Sequence, residues 1–276
     1  SPSPKRDIMV KIFTYENTIF GSTSIAYELQ RPSEKNMAEA SDQQAKPGLV
    51  FLSGFKSDLT GTKAQAVADW ATTHDYTNLR FDYFGHGQSS GDFEAGTLSG
   101  WREEVSTILT SLTDGPQILI GSSFGGFLAS LAAIDMPSKI AGLVLIAPAF
   151  DMTERLMRAA MSDAQKQELR RNGKFTHGTE YDSDGYPITQ ALLEDGRQHC
   201  ILGRPIPIHQ PVHILHGQKD DAVPWALSSE FSDMCESENI QLQFFKNGDH
   251  RLSSPLQIEA LLKAISLMIA DPTNPD

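Results

Sequence analysis

Residues 116–134, PQILIGSSFGGFLASLAAI, constrain the fold more than any other part of the chain. The run PQILIG reads as a strand buried on both faces. It passes without a spacer through Gly121-Ser122-Ser123-Phe124-Gly125 into small and apolar residues that predict a helix over 124–135. A strand that turns directly into a helix at G-x-S-x-G makes a sharp, strained elbow. The central serine, Ser123, then stands exposed above the sheet, and the helix N-terminus aims amides at it. Such an elbow needs a mainly parallel sheet with crossover helices on its faces.

The rest of the chain fits that requirement. Segments 8–14 and 22–29 alternate polar and apolar residues and predict an opening antiparallel pair. Residues 31–47 are polar, bracketed by proline and without periodicity, and predict a surface loop. Strands are then expected at 48–54, 79–84, 116–121, 140–148, 211–217 and 240–245, with helices at 62–74, 98–113, 124–135 and 225–236 between them. A last helix places Ile258, Leu261, Leu262, Ile265 and Ile269 on one stripe. Between 150 and 210 the rhythm changes to a more charged stretch. Two helices are expected there, 152–172 and 187–199, joined by a Gly/Asp/Tyr loop. The predicted architecture is one α/β domain over residues 1–276: a mostly parallel eight-stranded sheet, with 150–210 inserted as a cap.

The elbow pattern is weak by itself, because Gly87-Gln88-Ser89-Ser90-Gly91 matches it equally well. That second match has loop on both sides rather than strand and helix, so Ser89 reads as a turn residue. A serine hydroxyl at Ser123 needs a base, and the base needs a carboxylate to fix its tautomer. In an elbow architecture the chain order is serine, acid, histidine. His250 follows the last expected strand and precedes the final helix. His213 and His216 lie inside a strand and read as structural, and His86 reads as a turn stabiliser. The acid belongs after the penultimate strand, where HGQKDDAVP offers Asp220 and Asp221. Adjacent side chains point apart, and the spacing H-G-x-x-D-x-x-V-P selects Asp220. Asp249 reads as loop chemistry.

Acyl transfer also needs fixed donors for a developing oxyanion. The amide of Phe124 follows the nucleophile directly, and Phe55, in the loop after strand 48–54, is the second candidate. Apolar candidates for the pocket wall are Leu156, Met157, Met161, Ile188, Leu192 and Leu193. No cofactor and no metal are called for.

The formal net charge is −12, which disfavours a nucleic-acid partner, because phosphate binding needs clustered Lys and Arg. No apolar run reaches the roughly 18 residues of a membrane span. The start, SPSPKRDIMVKIF, has no apolar core of a signal peptide. Cys200 and Cys235 match no disulfide framework and are expected as reduced thiols, which points to the cytoplasm. A transit peptide on the native N-terminus would make the mitochondrion the alternative.

GTKA (61–64), LRFDYFGHGQSSG (79–91), DGPQILIGSSFGG (114–126), HGQKDDAVPW (216–225) and GDHRLS (248–253) together resemble the α/β-hydrolase-domain palmitoyl-protein thioesterases of mitochondria and their bacterial relatives. The resemblance implies an α/β-hydrolase fold, with the family's serine, acid and histidine on Ser123, Asp220 and His250. It also implies substrates that are acyl thioesters or esters: small molecules, or S-acylated proteins. Two rival readings remain at this level. One is a carboxylesterase or lipase-like enzyme for oxygen esters only; the other is a ligand-binding protein that keeps the elbow without turnover. Haloalkane dehalogenation is disfavoured, because the elbow carries serine where that chemistry needs aspartate.

Overall fold

The computed structural model describes residues 9–32, 46–179 and 182–270, so most of the expected loop 31–47 lies outside the described residues. The opening pair is β1 (Lys11–Asn17) and β2 (Gly21–Gln30), antiparallel from Lys11↔Tyr27 to Asn17↔Gly21. The α/β units follow: β3 (Gly48–Leu52), α1 (Thr62–His74), β4 (Asn78–Phe81), α2 (Leu98–Leu112), β5 (Gln117–Ser122), α3 (Phe124–Asp135) and β6 (Ile140–Ile146). Then come α4 (Asp163–Asn172), β7 (Lys174–Thr179), β8 (Asp182–Thr189), α5 (Gln190–Gly196), β9 (Val212–Gly217), α6 (Ala226–Met234), β10 (Ile240–Phe245) and α7 (Pro255–Ile269).

Eight strands form one sheet in the order β1-β2-β4-β3-β5-β6-β9-β10. Strand β2 runs antiparallel to β1 and β4, and every other neighbouring pair is parallel. Alternate residues of the central strands serve opposite faces, as the two-residue period requires. Leu49, Phe51, Ile118, Ile120 and Val144 pack under α1 and α7, against Val67, Ala71, Leu261 and Ile265. Val50, Leu52, Leu119, Leu143 and Leu145 pack on the other side, against Trp101 and Ile108 of α2 and Phe127 and Leu131 of α3. Every residue of β3, β6 and β9 is buried. That is why β3 and β6 read as continuous apolar runs rather than alternating ones.

Three expected strands end early, and the one expected at 48–54 stops at Leu52. The strand expected at 79–84 stops at Phe81, because the Asp82 carboxylate takes the amides of Leu59 (2.7 Å) and Gln88 (2.8 Å) and turns the chain. The strand expected at 140–148 stops at Ile146, where Ala147 adopts φ 44° and carries the chain out of the sheet.

The stretch between β6 and β9 differs most from expectation. The single helix expected at 152–172 is two elements: a π-helical segment, Met152–Arg158, and α4. The break is set by Ser162, whose hydroxyl accepts the Gln165 amide while the Gln165 side chain returns to the Ser162 amide. This reciprocal cap starts a new helix. The expected Gly/Asp/Tyr loop is instead a β-hairpin, β7–β8, with Phe175 opposite Ile188 and His177 opposite Tyr186. The second expected helix, 187–199, therefore begins only at Gln190, capped by the Thr189 hydroxyl.

Candidate active site

The elbow between β5 and α3 holds Ser123 at φ 54°, ψ −115°, a conformation that costs an L-residue strain energy. The surrounding backbone over-determines it. The Ser123 amide donates to the Ile146 carbonyl (2.8 Å), and the Ser123 carbonyl accepts the amides of Gly126 (2.9 Å) and Ala149 (3.0 Å). Glycine is obligatory at Gly125, where a Cβ would stand 2.0 Å from the Leu52 carbonyl oxygen.

His250 lies in the loop between β10 and α7, and its Nε2 is 3.1 Å from Ser123 Oγ. Its Nδ1 is 2.7 Å from Asp220 Oδ2, in the loop after β9. Because a carboxylate faces Nδ1, that nitrogen carries the proton and leaves Nε2 free to accept from the serine. The Asp220 side chain is fully buried and the His250 side chain about one-fifth exposed, at 20%. Asp220 Oδ1 takes the amides of Ala222 (2.9 Å) and Val223 (2.8 Å). Burial pushes this carboxyl up, but bonds from His216 and His250 outweigh it and hold the group at about 2. Asp221 lines the cavity beside it, and Asp249 accepts the Leu252 amide (3.0 Å), so neither touches the imidazole of His250.

His216 was expected to be a strand residue with no part in the site. The structure places it on the acid. Its Nε2 lies 3.2 Å from Asp220 Oδ2 and 3.0 Å from the Val223 carbonyl. Two acceptors face Nε2, so that nitrogen carries the proton, and Nδ1 accepts the buried Ser228 hydroxyl at 2.7 Å. Asp220 is thus held by two imidazoles and two amides. The spacing of His216 and Asp220 in HGQKD was a signal for this contact, since a residue at the end of a strand can reach the loop that follows it.

The loop after β3 passes next to the nucleophile. A Cβ on Gly54 would stand 3.8 Å from Ser123 Cβ, and the rings of Phe55 and Phe124 meet edge-on at 5.4 Å. His86 does more than stabilise its own turn. Its Nε2 accepts the Lys56 amide (3.0 Å), and its Nδ1 donates to the Phe84 carbonyl (3.0 Å). Lys56 sits at φ 63°, so the imidazole holds a strained position one residue from Phe55. Ser89 is a turn residue: its hydroxyl donates to the Asp82 carbonyl (2.6 Å) and accepts the Ala26 amide (2.9 Å).

Above Ser123 lies a cavity of about 690 Å³. Of the expected wall residues, Leu156 and Met157 line it, joined by Met152 from the same π-helical segment, by Ala160 just after it and by Tyr186 from β8. Ile188, Leu192 and Leu193 do not; they are buried in the main core. Met161 packs beside that core. Tyr186 and Ile188 are two residues apart on β8 and share one face of the strand; Ile188 is buried in the core, whereas Tyr186 reaches the cavity. Among the described residues no group of three His, Cys, Asp or Glu is arranged to hold a metal ion, and no helix is long and apolar enough to cross a membrane. Cys200 and Cys235 are unbridged.

Known proteins agree with this architecture. A family profile described as serine aminopeptidase, S33, matches residues 43–189. The palmitoyl-protein thioesterase ABHD10, mitochondrial, of Bos taurus is 36% identical over 248 residues, covering 90% of this chain and 80% of that protein. The crystal structure of a putative hydrolase from Agrobacterium vitis S4 superposes with a TM-score of 0.86 at 34% identity, covering 96% of this chain and all of the other. Mouse α/β-hydrolase domain-containing protein 10 superposes at 0.81 with 32% identity, covering 94% and 98%. The chain therefore belongs to the α/β-hydrolase family, as a serine hydrolase of the group that contains the ABHD10 palmitoyl-protein thioesterases.

Proposed function

We propose that the protein cleaves acyl thioesters, and esters of similar shape, by a two-step mechanism on Ser123. His250 Nε2 takes the Ser123 proton as Oγ attacks the carbonyl carbon. The amides of Phe55 and Phe124 stabilise the resulting oxyanion. His250 then gives its proton to the departing sulfur or oxygen as the carbon–leaving-group bond breaks, which leaves the acyl group on Ser123. Water, deprotonated by the same imidazole, attacks the acyl carbonyl, and collapse of the second tetrahedral species returns the proton to Ser123 Oγ and releases the acid. Asp220 fixes the His250 tautomer and stabilises the imidazolium of each step. The step needs no metal or organic cofactor.

The carrying observation is the relay itself, with 3.1 Å from Ser123 to His250 and 2.7 Å from His250 to Asp220. Supporting the acyl specificity are the apolar side chains Met152, Leu156 and Met157 on the cavity wall. The segment between β6 and β9 is read as a cap of the single α/β domain that shapes this wall. Thioesters are preferred in this reading because a relative that is 36% identical and covers 90% of this chain is named as a palmitoyl-protein thioesterase. For the compartment we propose the cytoplasm, with the mitochondrion of those relatives as the alternative.

The test is a chain-length series of matched acyl thioesters and oxygen esters on the wild type and Ser123→Ala, with fluorophosphonate labelling in parallel. Turnover and labelling are expected in the wild type and absent in the variant. Full turnover by Ser123→Ala overturns the site. Turnover of oxygen esters alone assigns the protein to the carboxylesterases. Stoichiometric acyl binding without labelling or turnover makes it a ligand-binding protein.

A further inference from the structure

Of the stretches that mark this chain, GTKA (61–64) takes no part in the relay, yet its lysine ends beside it. Lys63 stands in the first turn of α1 and lines the cavity above Ser123. Its Nζ donates to the Arg251 carbonyl and to Ser253 Oγ (3.3 Å), 188 and 190 positions farther along the chain. Both acceptors lie in the loop that carries His250.

That loop is fixed at one end and strained at the other. At its start the Gly248 amide donates to the Phe245 carbonyl (2.9 Å), and the Gly248 carbonyl accepts the Lys219 amide (3.0 Å). Near its far end Leu252 adopts φ 46°, a conformation that costs an L-residue strain energy and persists only where the surroundings enforce it. The Leu252 side chain is buried in the core with Val67 and Ala71 of α1 and Leu261 and Ile265 of α7, and its amide donates to Asp249 Oδ1 (3.0 Å). Lys63 bonds the residues on either side of this strained position. Ser253 Oγ in turn donates to the Arg251 carbonyl (3.1 Å), which closes the cluster.

A lysine at the mouth of a cavity ordinarily extends its ammonium into water. Here the ammonium is bound to the loop instead. Burial lowers the amine to about 8, with Asp249 opposing the fall and Arg251 adding to it. At neutral pH it is mainly protonated and has three donors for its two acceptors. Bonds from a charged donor are roughly twice as strong as neutral ones.

We propose that Lys63 is a positioning residue for the base: by pinning the strained end of the loop from α1, it keeps His250 Nε2 within reach of Ser123 Oγ while Nδ1 stays on Asp220. The role rests on the serine-hydrolase relay proposed above.

The test is a double-mutant cycle with p-nitrophenyl butyrate as substrate. Lys63→Met keeps an unbranched, helix-forming side chain and removes the donors. In the wild-type background kcat is expected to fall about tenfold while KM stays within about twofold, because small displacements of a catalytic group lower the rate steeply. In the His250→Ala background Lys63→Met is expected to leave the residual turnover unchanged, since a support that acts through the base has nothing left to support. Equal falls in the two backgrounds mean that Lys63 serves the fold or the substrate, and overturn the assignment. An unchanged kcat of Lys63→Met in the wild-type background overturns it as well. If Lys63→Met does not fold, the same cycle with Ser253→Ala decides, with an expected fall of about threefold. If His250→Ala has no turnover above the uncatalysed rate, the His250 Nδ1 proton decides by NMR. Its downfield line is expected to shift or broaden in Lys63→Met, and an unchanged line overturns the role. Full kcat in Lys63→Met with Ser123 still taking the fluorophosphonate label removes only this role. Full turnover by Ser123→Ala removes the relay and this role with it.

Discussion

Glu104, near the middle of α2, is completely buried, and no cation among the described residues lies within ion-pair distance of it. Its carboxyl accepts the Phe84 amide (3.0 Å) and contacts the Tyr15 hydroxyl (3.1 Å). Burial raises it from 4.5 to about 8 against the opposing effect of those bonds. At neutral pH the folded protein therefore holds this group protonated, while the unfolded chain ionises it. A raised carboxyl contributes its full stability below pH 4.5 and loses it as pH rises through 8. The shift of about 3.5 pH units corresponds to about 5 kcal/mol of stability lost between those limits. Glu104→Gln keeps an oxygen for the Phe84 amide and a donor for Tyr15, but cannot ionise. Urea unfolding followed by circular dichroism at pH 5, 7 and 9 checks the consequence. Wild type and variant are expected to match at pH 5, and the variant is expected to lead by several kcal/mol at pH 9. Parallel losses in the two proteins would refute the reasoning, because Glu104 would then be charged in the native state.

Three further outcomes follow from the site. His86→Phe keeps the ring volume but removes the acceptor of the Lys56 amide, so kcat on a short thioester falls about tenfold or more; an unchanged kcat means that the loop is held by other contacts. His216→Ala removes one of the bonds that hold the Asp220 carboxyl near 2 and one of the contacts that fix its position, so kcat falls about tenfold. An unchanged kcat would show that His216 only fills space. Gly125→Ala drives a methyl into the Leu52 carbonyl and lowers stability by about 3 kcal/mol or prevents folding; a thermal midpoint within a degree of wild type contradicts the packing described for the elbow.

Where the sequence was legible, one physical signal dominated. Helices α1 and α3 fall on their expected residues, 62–74 and 124–135, because each lies between two buried strands and has no competing turn chemistry. Chain order and loop position singled out Ser123, Asp220 and His250 together, and the structure brings these three side chains within hydrogen-bond reach of one another. The hairpin β7–β8 was not. Its strands pair only with each other, and Gly178, Gly185 and Pro187 interrupt the alternation that marks a strand. The break between the π-helical segment and α4 was written in the sequence as Ser162-x-x-Gln165, but helix-forming residues on both sides masked it. His216 was missed for a different reason. A strand position gives the face of a side chain, and the length of an imidazole decides which loop it reaches.

The bracing of the site explains why its parts differ in tolerance to change. Asp220 and Ser123 are each fixed by several buried hydrogen bonds that close within the sheet and its edge loops. Moving either one means breaking bonds that water cannot replace, at a cost of about 1–3 kcal/mol for each unsatisfied group. The cavity wall is held differently. Met152 and Met157 are buried side chains of a π-helical segment, a geometry with poorer backbone bonding than an α-helix, and Leu156 and Ala160 are not fully buried. Dispersion contacts of this kind are non-directional and can be remade by another hydrocarbon of similar volume. The relay is therefore specified by direction and the wall by volume. A chain built this way can change what its cavity accepts while the geometry between Ser123, His250 and Asp220 stays as it is.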